Sequence, residues 1–394
     1  MKIIFNKQKI IAAVAPLMCA VSNKATFAAC EGILIEAKVP DTCVLTTYDT
    51  EKGMRTTISA TVIEEGCYII NAQKFNQTIK VMDGEEVMLS VNDKMIATFE
   101  SGRSNHRMNA TAGDTFPAIP RLTSDYSFVI SQGVLKQMMN KVSFAMAIND
   151  QRPVLNGAFF DVKEDSLRLV SCDGSKLAKC TKKTEVINTG ADGSKVDFSF
   201  ILPVKTVNEL TRMLLDDEDE SVQVFMTRKN IVFILGSLTF FSRLVDGRYV
   251  DYDRLLIKNH KMSIEVDRHQ MLSALERASL ITEERIASVV RAAVHLDLGD
   301  GLLKILAKSP SGSTYDEIEV DHEGDGLLIA FCNRYLMDTL RACGTDRVKI
   351  SLSSPLIAIN IVPAVPEDDI EEEYMLLPLK INPATEAANA NYNY

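Results

Sequence analysis

The sequence predicts an α+β fold of three repeated domains, each with paired helices packed on antiparallel sheets. Three observations predict it. The 394 residues divide into thirds of about 131, and the chain repeats at that period. Each third opens on a short apolar strand, a polar capping residue and an amphipathic helix. Each third then carries a second helix, followed by strands of alternating pattern. The composition, 46% hydrophobic and 24% charged, excludes a mostly disordered chain and a multi-span membrane protein.

The opening strands are Ile3-Ile4-Phe5-Asn6, Phe128-Val129-Ile130-Ser131 and Ile264-Glu265-Val266-Asp267. Asn6, Ser131 and Asp267 end them with side-chain oxygens suited to the free N–H groups of a first helical turn. The helices that follow run toward Lys24, Ala147 and Ile281. Their apolar residues match in offset: Val134, Leu135, Met138 and Val142 in the second third, Met271, Leu272 and Leu275 in the last.

The first of these helices also imitates an export signal. Lys2, Lys7 and Lys9 precede the apolar run from Ile10 to Val21, and Ala28-Ala29-Cys30 has the small residues of a lipoprotein cleavage site. An exported lipoprotein or surface-binding protein is therefore a rival reading. Against it, Ile10, Ile11, Val14, Met18 and Val21 fall at helical spacing, in the slot that two internal helices occupy. The run is also shorter than the roughly 20 apolar residues that cross a bilayer. A structural helix is expected, with no membrane partner.

The second helices open at Ile69-Ile70-Asn71-Ala72-Gln73-Lys74, Ile201-Leu202-Pro203-Val204-Lys205 and Ala330-Phe331-Cys332-Asn333-Arg334. Their basic residues Lys74, Lys205 and Arg334 lie 131 and 129 positions apart. Paired strands follow: 87–91 with 95–99, 222–225 with 231–234, and 348–352 with 357–361. The expected domains are residues 1–121, 122–254 and 255–381, with a disordered tail, rich in Asn and Ala, over 382–394.

Chemistry-bearing clusters are absent from the sequence pattern. Eight cysteines show no C-x-x-C spacing and five histidines no paired spacing, so neither zinc nor any other metal or cofactor is expected, and the thiols read as reduced. A metal-dependent enzyme built on Asp216-Asp217-Glu218-Asp219-Glu220, or on Glu367–Asp369 with Glu371–Glu373, is the second rival. Consecutive acids splay apart, and such runs read as solvated loops or turns. There is no nucleophile elbow, phosphate-binding loop or His-carboxylate constellation. A non-catalytic protein is the expectation.

Charge sharpens it. The chain is −10 overall, with 43 Lys+Arg against 53 Asp+Glu, which argues against a nucleic-acid partner on average. Taken by repeat position, the helical windows 6–24, 73–82, 131–142, 204–215, 267–278 and 333–343 carry +3, +2, +2, +1, 0 and +1. That is +9 on 76 residues and −19 on the other 318. An acidic body with basic helices attracts phosphate backbones locally and repels them elsewhere. No base-reading module accompanies it, so the expected contact is sequence-independent and salt-sensitive.

These residues resemble the bacterial β sliding clamp family, the processivity subunits of DNA polymerase III. The likeness runs from Met1 to about Ile381 and rests on the order of several short passages: Ser101–Ser104, Arg152–Gly157, Cys172–Ala178, Pro203–Leu210, Ser242–Tyr249 and Ala274–Ala278. It implies clamp-type domains in a head-to-tail homodimeric ring. Duplex DNA passes through the hole, lined by the helices. The interface joins the first domain of one protomer to the third of the other. It also implies a cytoplasmic protein. By position, Lys24, Arg152 and Lys205 face DNA, with Lys9, Lys74, Lys80, Lys136, Arg212 and Arg334.

The resemblance further implies a pocket for short linear motifs of the polymerase III catalytic subunit, the clamp loader, and other polymerases and repair proteins. Its wall would include Leu155, Gly174, Lys176, Leu177, Leu255, Tyr335, Met375, Leu376, Leu377, Pro378 and Leu379. From the residues alone, these leucines read as ordinary core. The chain departs from the family pattern at Cys172, Ser175 and Lys176, at Val250 where a proline is usual, and in the residues that follow Ile381. Lys176 keeps a charge but lacks a planar fork.

Overall fold

A computed structural model describes residues 1–22, 27–119, 126–189, 196–282, 293–309, 312–322 and 325–380. The candidate Lys24 and the tail over 382–394 lie outside the described residues.

In the first repeat, β1 (Lys2–Asn6) leads into α1 (Lys7–Leu17). Four strands follow: β2 (Gly32–Lys38), β3 (Thr42–Tyr48), β4 (Lys52–Ser59) and β5 (Thr61–Glu64). Then β6 (Gly66–Asn71) leads into α2 (Ala72–Val81), and β7 (Glu86–Val91), β8 (Ile96–Ser101) and β9 (Ser104–Ala112) close the repeat. The second repeat runs β10 (Tyr126–Ser131), α3 (Gln132–Val142), β11 (Gly157–Lys163), β12 (Ser166–Cys172), β13 (Lys176–Lys183) and β14 (Ile187–Asn188). It ends with β15 (Asp197–Pro203), α4 (Val204–Met213), β16 (Ser221–Met226), β17 (Asn230–Leu235) and β18 (Leu238–Arg243). The third runs β19 (Met262–Asp267), α5 (Arg268–Thr282), β20 (Val294–Gly299), β21 (Leu302–Ser309) and β22 (Gly312–Glu319). It closes with β23 (Leu327–Phe331), α6 (Asn333–Ala342), β24 (Arg347–Leu352), β25 (Ile359–Pro363) and β26 (Ile370–Leu376).

The capping residues act as their side-chain chemistry requires. Asn6 and Asn71 Oδ1 accept from the N–H groups of Lys9 and Lys74, each at 3.0 Å. Ser131 Oγ accepts from Val134 N–H at 3.3 Å, and Asp267 Oδ1 from Gln270 N–H at 2.8 Å. Such caps stabilise a helix by about 1 kcal/mol each. Helix α1 ends at Leu17, short of Lys24; Pro16 removes one backbone bond from its last turn, and a 3₁₀ turn over Met18–Ala20 follows. The segment that imitates an export signal is integral to the fold: Ile3, Phe5, Ile10, Val14 and Leu17 are buried, and β1 pairs with β7 and β5.

Every pairing among the named strands is antiparallel, including the expected pairs β7–β8, β16–β17 and β24–β25. Packing divides the chain into two compact units. One comprises Met1–Leu135, Ile187–Val196 and Asn208–Leu244; the other comprises Lys136–Val186, Asp197–Val207 and the chain from Val245 onward. The first holds one sheet in the order β14-β10-β16-β17-β18-β4-β3-β2-β6-β9-β8-β7-β1-β5. The second holds β15-β11-β12-β13-β26-β25-β24-β19 and β22-β21-β20-β23.

The division falls across the middle repeat for a physical reason. The last strand of the second repeat, β18, extends the sheet of the first through β4, with Phe241 opposite Gly53. A Cβ at Gly53 would stand 2.2 Å from the Phe241 ring, so only glycine permits the approach. Likewise β26 joins β13, with Met375 opposite Leu177. Helix α1 packs on α2 in one unit and α5 on α6 in the other.

One acidic run departs from expectation. Glu371–Glu373 lie in β26 rather than in a solvated loop, and strand alternation turns Glu372 into the core. Its Oε1 pairs with buried Lys141 Nζ, and its Oε2 accepts from the Tyr374 hydroxyl at 2.9 Å. The run Asp216–Glu220 is exposed. All eight cysteines are free thiols, and Cys30, Cys43, Cys172, Cys180 and Cys343 are buried.

Candidate functional site

The helices present cations away from their packed faces. Helix α2 buries Ala72, Phe75, Thr78 and Ile79 and exposes Lys74 and Lys80. Helix α1 buries Ile10, Val14 and Leu17 and exposes Lys9. On α4, Lys205 and Arg212 are exposed; on α6, Arg334 is exposed; on α3, Lys136 is half-buried. Each of α1 to α6 carries a net charge of +1 or +2, α5 included once Asp267 is counted in the preceding strand.

The cations differ in how far neighbours neutralise them. Arg212 contacts Glu209 at 3.4 Å and Arg334 contacts Asp338 at 3.6 Å. Exposed pairs of this kind are weak and leave the cation open to a phosphate. Lys9, Lys74 and Lys80 have no carboxylate partner among the described residues.

Arg152 stands apart from the helices. It precedes a 3₁₀ turn over Pro153–Leu155 and forks onto Asp150, with Nε–Oδ1 at 2.9 Å and Nη2–Oδ2 at 3.0 Å. These bonds hold the Asp150 carboxyl down at about 2. Arg152 Nη2 lies 3.2 Å from where a Cβ on Gly174 would stand. The structure therefore groups Arg152 with the pocket residues, not with the helix cations.

Those pocket residues sit around the turn between β12 and β13. Asp173 Oδ1 accepts from the N–H groups of Ser175 at 2.8 Å and Lys176 at 3.0 Å, and Gly174 takes φ +93°, a conformation that favours glycine. The Lys176 side chain is 8% exposed. Its Nζ lies 4.1 Å from the centre of the Tyr335 ring and 3.5 Å from Asp173 Oδ2. The cation is thus held inward, against α6.

Leu155, Leu177 and Met375 belong to one buried cluster with Val170, Cys172 and Tyr249. Leu376, opposite Lys176 in the ladder, is also buried. These side chains are floor rather than open wall. Leu255, Leu377 and Leu379 are 43, 43 and 39% exposed, and Pro378 is half-buried beside them in sequence. The backbone fixes this last segment: Leu377 N–H donates to Ser175 O at 2.8 Å and Leu379 N–H to Ala330 O at 2.7 Å.

Several contributors escaped the residue-by-residue reading. Val154, Phe159, Ile257 and Ala358 pack on the same cluster, and Tyr249 stacks on Phe159 at 5.2 Å. Val250 also packs there, where the family usually has proline. Burial pushes the Cys172 thiol and the Tyr249 hydroxyl upward, so both stay neutral. Val154 and Tyr249 lie inside the passages that carry the family likeness; Phe159, Ile257 and Ala358 are apolar residues that nothing in sequence separates from core. The arrangement offers an apolar floor and a few orienting groups, and among the described residues no three His, Cys, Asp or Glu side chains converge as metal ligands.

Comparison with known proteins agrees with this geometry. Three family models match: the DNA polymerase III beta subunit N-terminal domain over residues 1–120, its central domain over 129–251 and its C-terminal domain over 253–379. The beta sliding clamp of Staphylococcus aureus is 28% identical over 371 residues, covering 92% of this chain and 94% of that protein. The crystal structure of the DNA polymerase III subunit beta from Pseudomonas aeruginosa is 26% identical, with a TM-score of 0.85 over 97% of this chain and all of that one. A putative beta subunit from Eubacterium rectale matches with 25% identity and a TM-score of 0.87, again over 97% and 100%. Matched across all three repeats, the chain belongs to the DNA polymerase III beta subunit family, the beta sliding clamps.

Proposed function

We propose that the protein encircles duplex DNA as a head-to-tail homodimeric ring and tethers the replicative polymerase to its template. It is an accessory subunit, not a catalyst. The single observation that carries the reading is the sign of the helices: all six are net positive in a chain of net charge −10. Within the assigned cation set, Lys9, Lys74, Lys80, Lys136, Lys205, Arg212 and Arg334 face DNA, with Lys24 placed there by sequence position alone. Retention is topological, so loose backbone contacts suffice.

The domains are residues 1–121, 122–254 and 255–381. Charge complementarity supports the head-to-tail contact. Among the described residues, 104–109 of β9 pair on one side only, with β8, and carry His106 and Arg107, of which Arg107 lies near Lys74. In the third domain, β22 is the outer strand of its sheet and exposes Glu317 and Glu319, while its Asp316 is held by Arg277. A basic edge on one copy then meets an acidic edge on the next, and the ring closes when that contact repeats once.

The turn at 173–177, with Arg152, Tyr335 and the segment Leu376–Leu379, receives short motifs of the polymerase III catalytic subunit, the clamp loader, and other polymerases and repair proteins. Leu255, Leu377 and Leu379 supply its accessible apolar surface, and Arg152 orients the peptide. A cytoplasmic location follows from these partners; among the described residues no helix is long and apolar enough to cross a membrane.

The test is retention. Protein loaded on nicked circular DNA stays bound through gel filtration and is released when the circle is linearised. Equal retention on both forms, or a monomer at micromolar concentration, contradicts the ring.

A further inference from the structure

The first repeat contains a hollow that the proposed function does not use. It has a volume of about 520 Å³, between the 3₁₀ turn over Ala28–Glu31, β6 and the end of β9. Its apolar side is formed by Phe27, Ala28, Ala29 and Ile69, and Phe27 is 58% exposed. Ligand sites have about this volume, on the order of 300–1,000 Å³.

Register shows what the hollow corresponds to. Gly32 opens β2 opposite Asn71, as Gly157 opens β11 opposite Pro203. Cβ atoms on the two glycines would meet the Cγ2 methyls of Ile69 and Ile201 respectively, which identifies these isoleucines as equivalent. Ile69 pairs with Thr111, and Ile201 O accepts from Val245 N–H. Counting outward, Ala29 matches Val154, Thr111 matches Val245 and Thr115 matches Tyr249. In the second repeat, Val154, Val245 and Tyr249 pack against the Leu155–Leu177 cluster that floors the motif pocket. In the first, the smaller Ala29, Thr111 and Thr115 line open space.

Charge decides the occupant. Glu31 is the one charged residue lining the hollow, is half-buried, and has no cationic partner among the described residues. At the edge toward α2, the Asn109 carboxamide has no side-chain partner among the described residues and suits a peptide backbone.

The geometry points to a second peptide-binding site in the first domain, taking an extended segment with an apolar side chain flanked by Lys or Arg. The apolar side chain enters beside Ala29 and Ile69, the basic one pairs with Glu31, and the backbone meets Asn109. This site differs in position and in charge preference from the motif pocket at 173–177.

The test uses the full chain and two fluorescein-labelled peptides, Lys-Leu-Phe-Lys and Glu-Leu-Phe-Glu, read by anisotropy. The basic peptide binds at least about tenfold more tightly than the acidic one, and Glu31→Gln removes most of that preference. Ala29→Trp, which fills the hollow, lowers affinity about tenfold, while Gly174→Arg in the motif pocket leaves it unchanged. Glu31→Gln changes a half-buried rim group, so an unchanged melting temperature separates lost binding from lost folding. No binding of the basic peptide, equal binding of both, or loss with Gly174→Arg instead of Ala29→Trp overturns the site. None of these outcomes bears on retention on circular DNA, which stands or falls separately.

Discussion

Lys176 shows what a single position reveals and what it hides. The sequence announces a cation in the motif turn but not its direction; the structure turns it onto Tyr335 and Asp173. Arg152 is the converse case, a cation placed by position with the helix lysines and found instead forked on Asp150 over Gly174. Side-chain direction depends on neighbours that are distant in sequence, so it is the least legible feature. The thiols were easier, because reduced, buried cysteine is the ordinary outcome in a chain of this size. Burial pushes Cys19 up to about 11 and Cys43 up to about 12, leaving neither as thiolate near neutrality. Cys67 is the exposed thiol among the eight, though desolvation also raises it somewhat. A chromogenic disulfide reagent at pH 8 is therefore expected to show its fastest phase at Cys67, and Cys67→Ser to remove that phase alone. A fast phase that survives the substitution contradicts the burial pattern.

Elements were legible where local chemistry defines them. All four named caps mark helix starts that the sequence displays, while two helices end earlier than their patterns suggest, α1 at Leu17 rather than near Lys24 and α3 at Val142 rather than near Ala147. Strand partners across repeats were not legible: β4 with β18 and β13 with β26 join residues 182 to 200 positions apart, and nothing local records that pairing. The second join holds the buried Lys141–Glu372 pair. Lys141→Met leaves the Glu372 carboxylate buried with only the Tyr374 hydroxyl, and is expected to cost about 3–5 kcal/mol in urea unfolding. Adding Glu372→Leu is expected to restore a large part of that loss; if the double variant is as unstable as the single, the unpaired charge is not the cause. Strand β20 makes a pH prediction. Burial lowers the pKa of His295, so as pH falls through about 6.5 the unfolded chain takes up a proton that the folded chain refuses. Its contribution is complete above that range and is lost as pH drops toward the folded value. The urea midpoint is expected to fall between pH 7.5 and 5.5, and less so in His295→Gln; identical slopes would assign the effect to other groups.

At the scale of the whole molecule, the average misleads and the distribution informs. A net charge of −10 argues against DNA, yet each helix is positive and the acid is concentrated in strands and loops. Length in thirds and charge by repeat position were both legible, because a repeat allows the same slot to be read three times and chance patterns to cancel. The two-unit packing was not, since it depends on sheets that continue from one repeat into the next. The helix charges make a quantitative claim. A lysine that neutralises a phosphate releases counterions, so log affinity falls with log salt at a slope of about 0.9 per contact. Lys74 and Lys80 are exposed on one helix with no carboxylate partner among the described residues, so under the proposed ring each is expected to contribute a contact at full strength. Replacing both by Ala is expected to reduce the salt slope by nearly 2 and to weaken binding alike on unrelated sequences, while Lys229→Ala in the turn between β16 and β17 changes neither. Sliding depends on this uniformity: contacts that read no base let the ring move without pausing. A slope that changes on one sequence only would mean that the helices read bases, and a slope indifferent to Lys74 and Lys80 would place the duplex elsewhere than against α2.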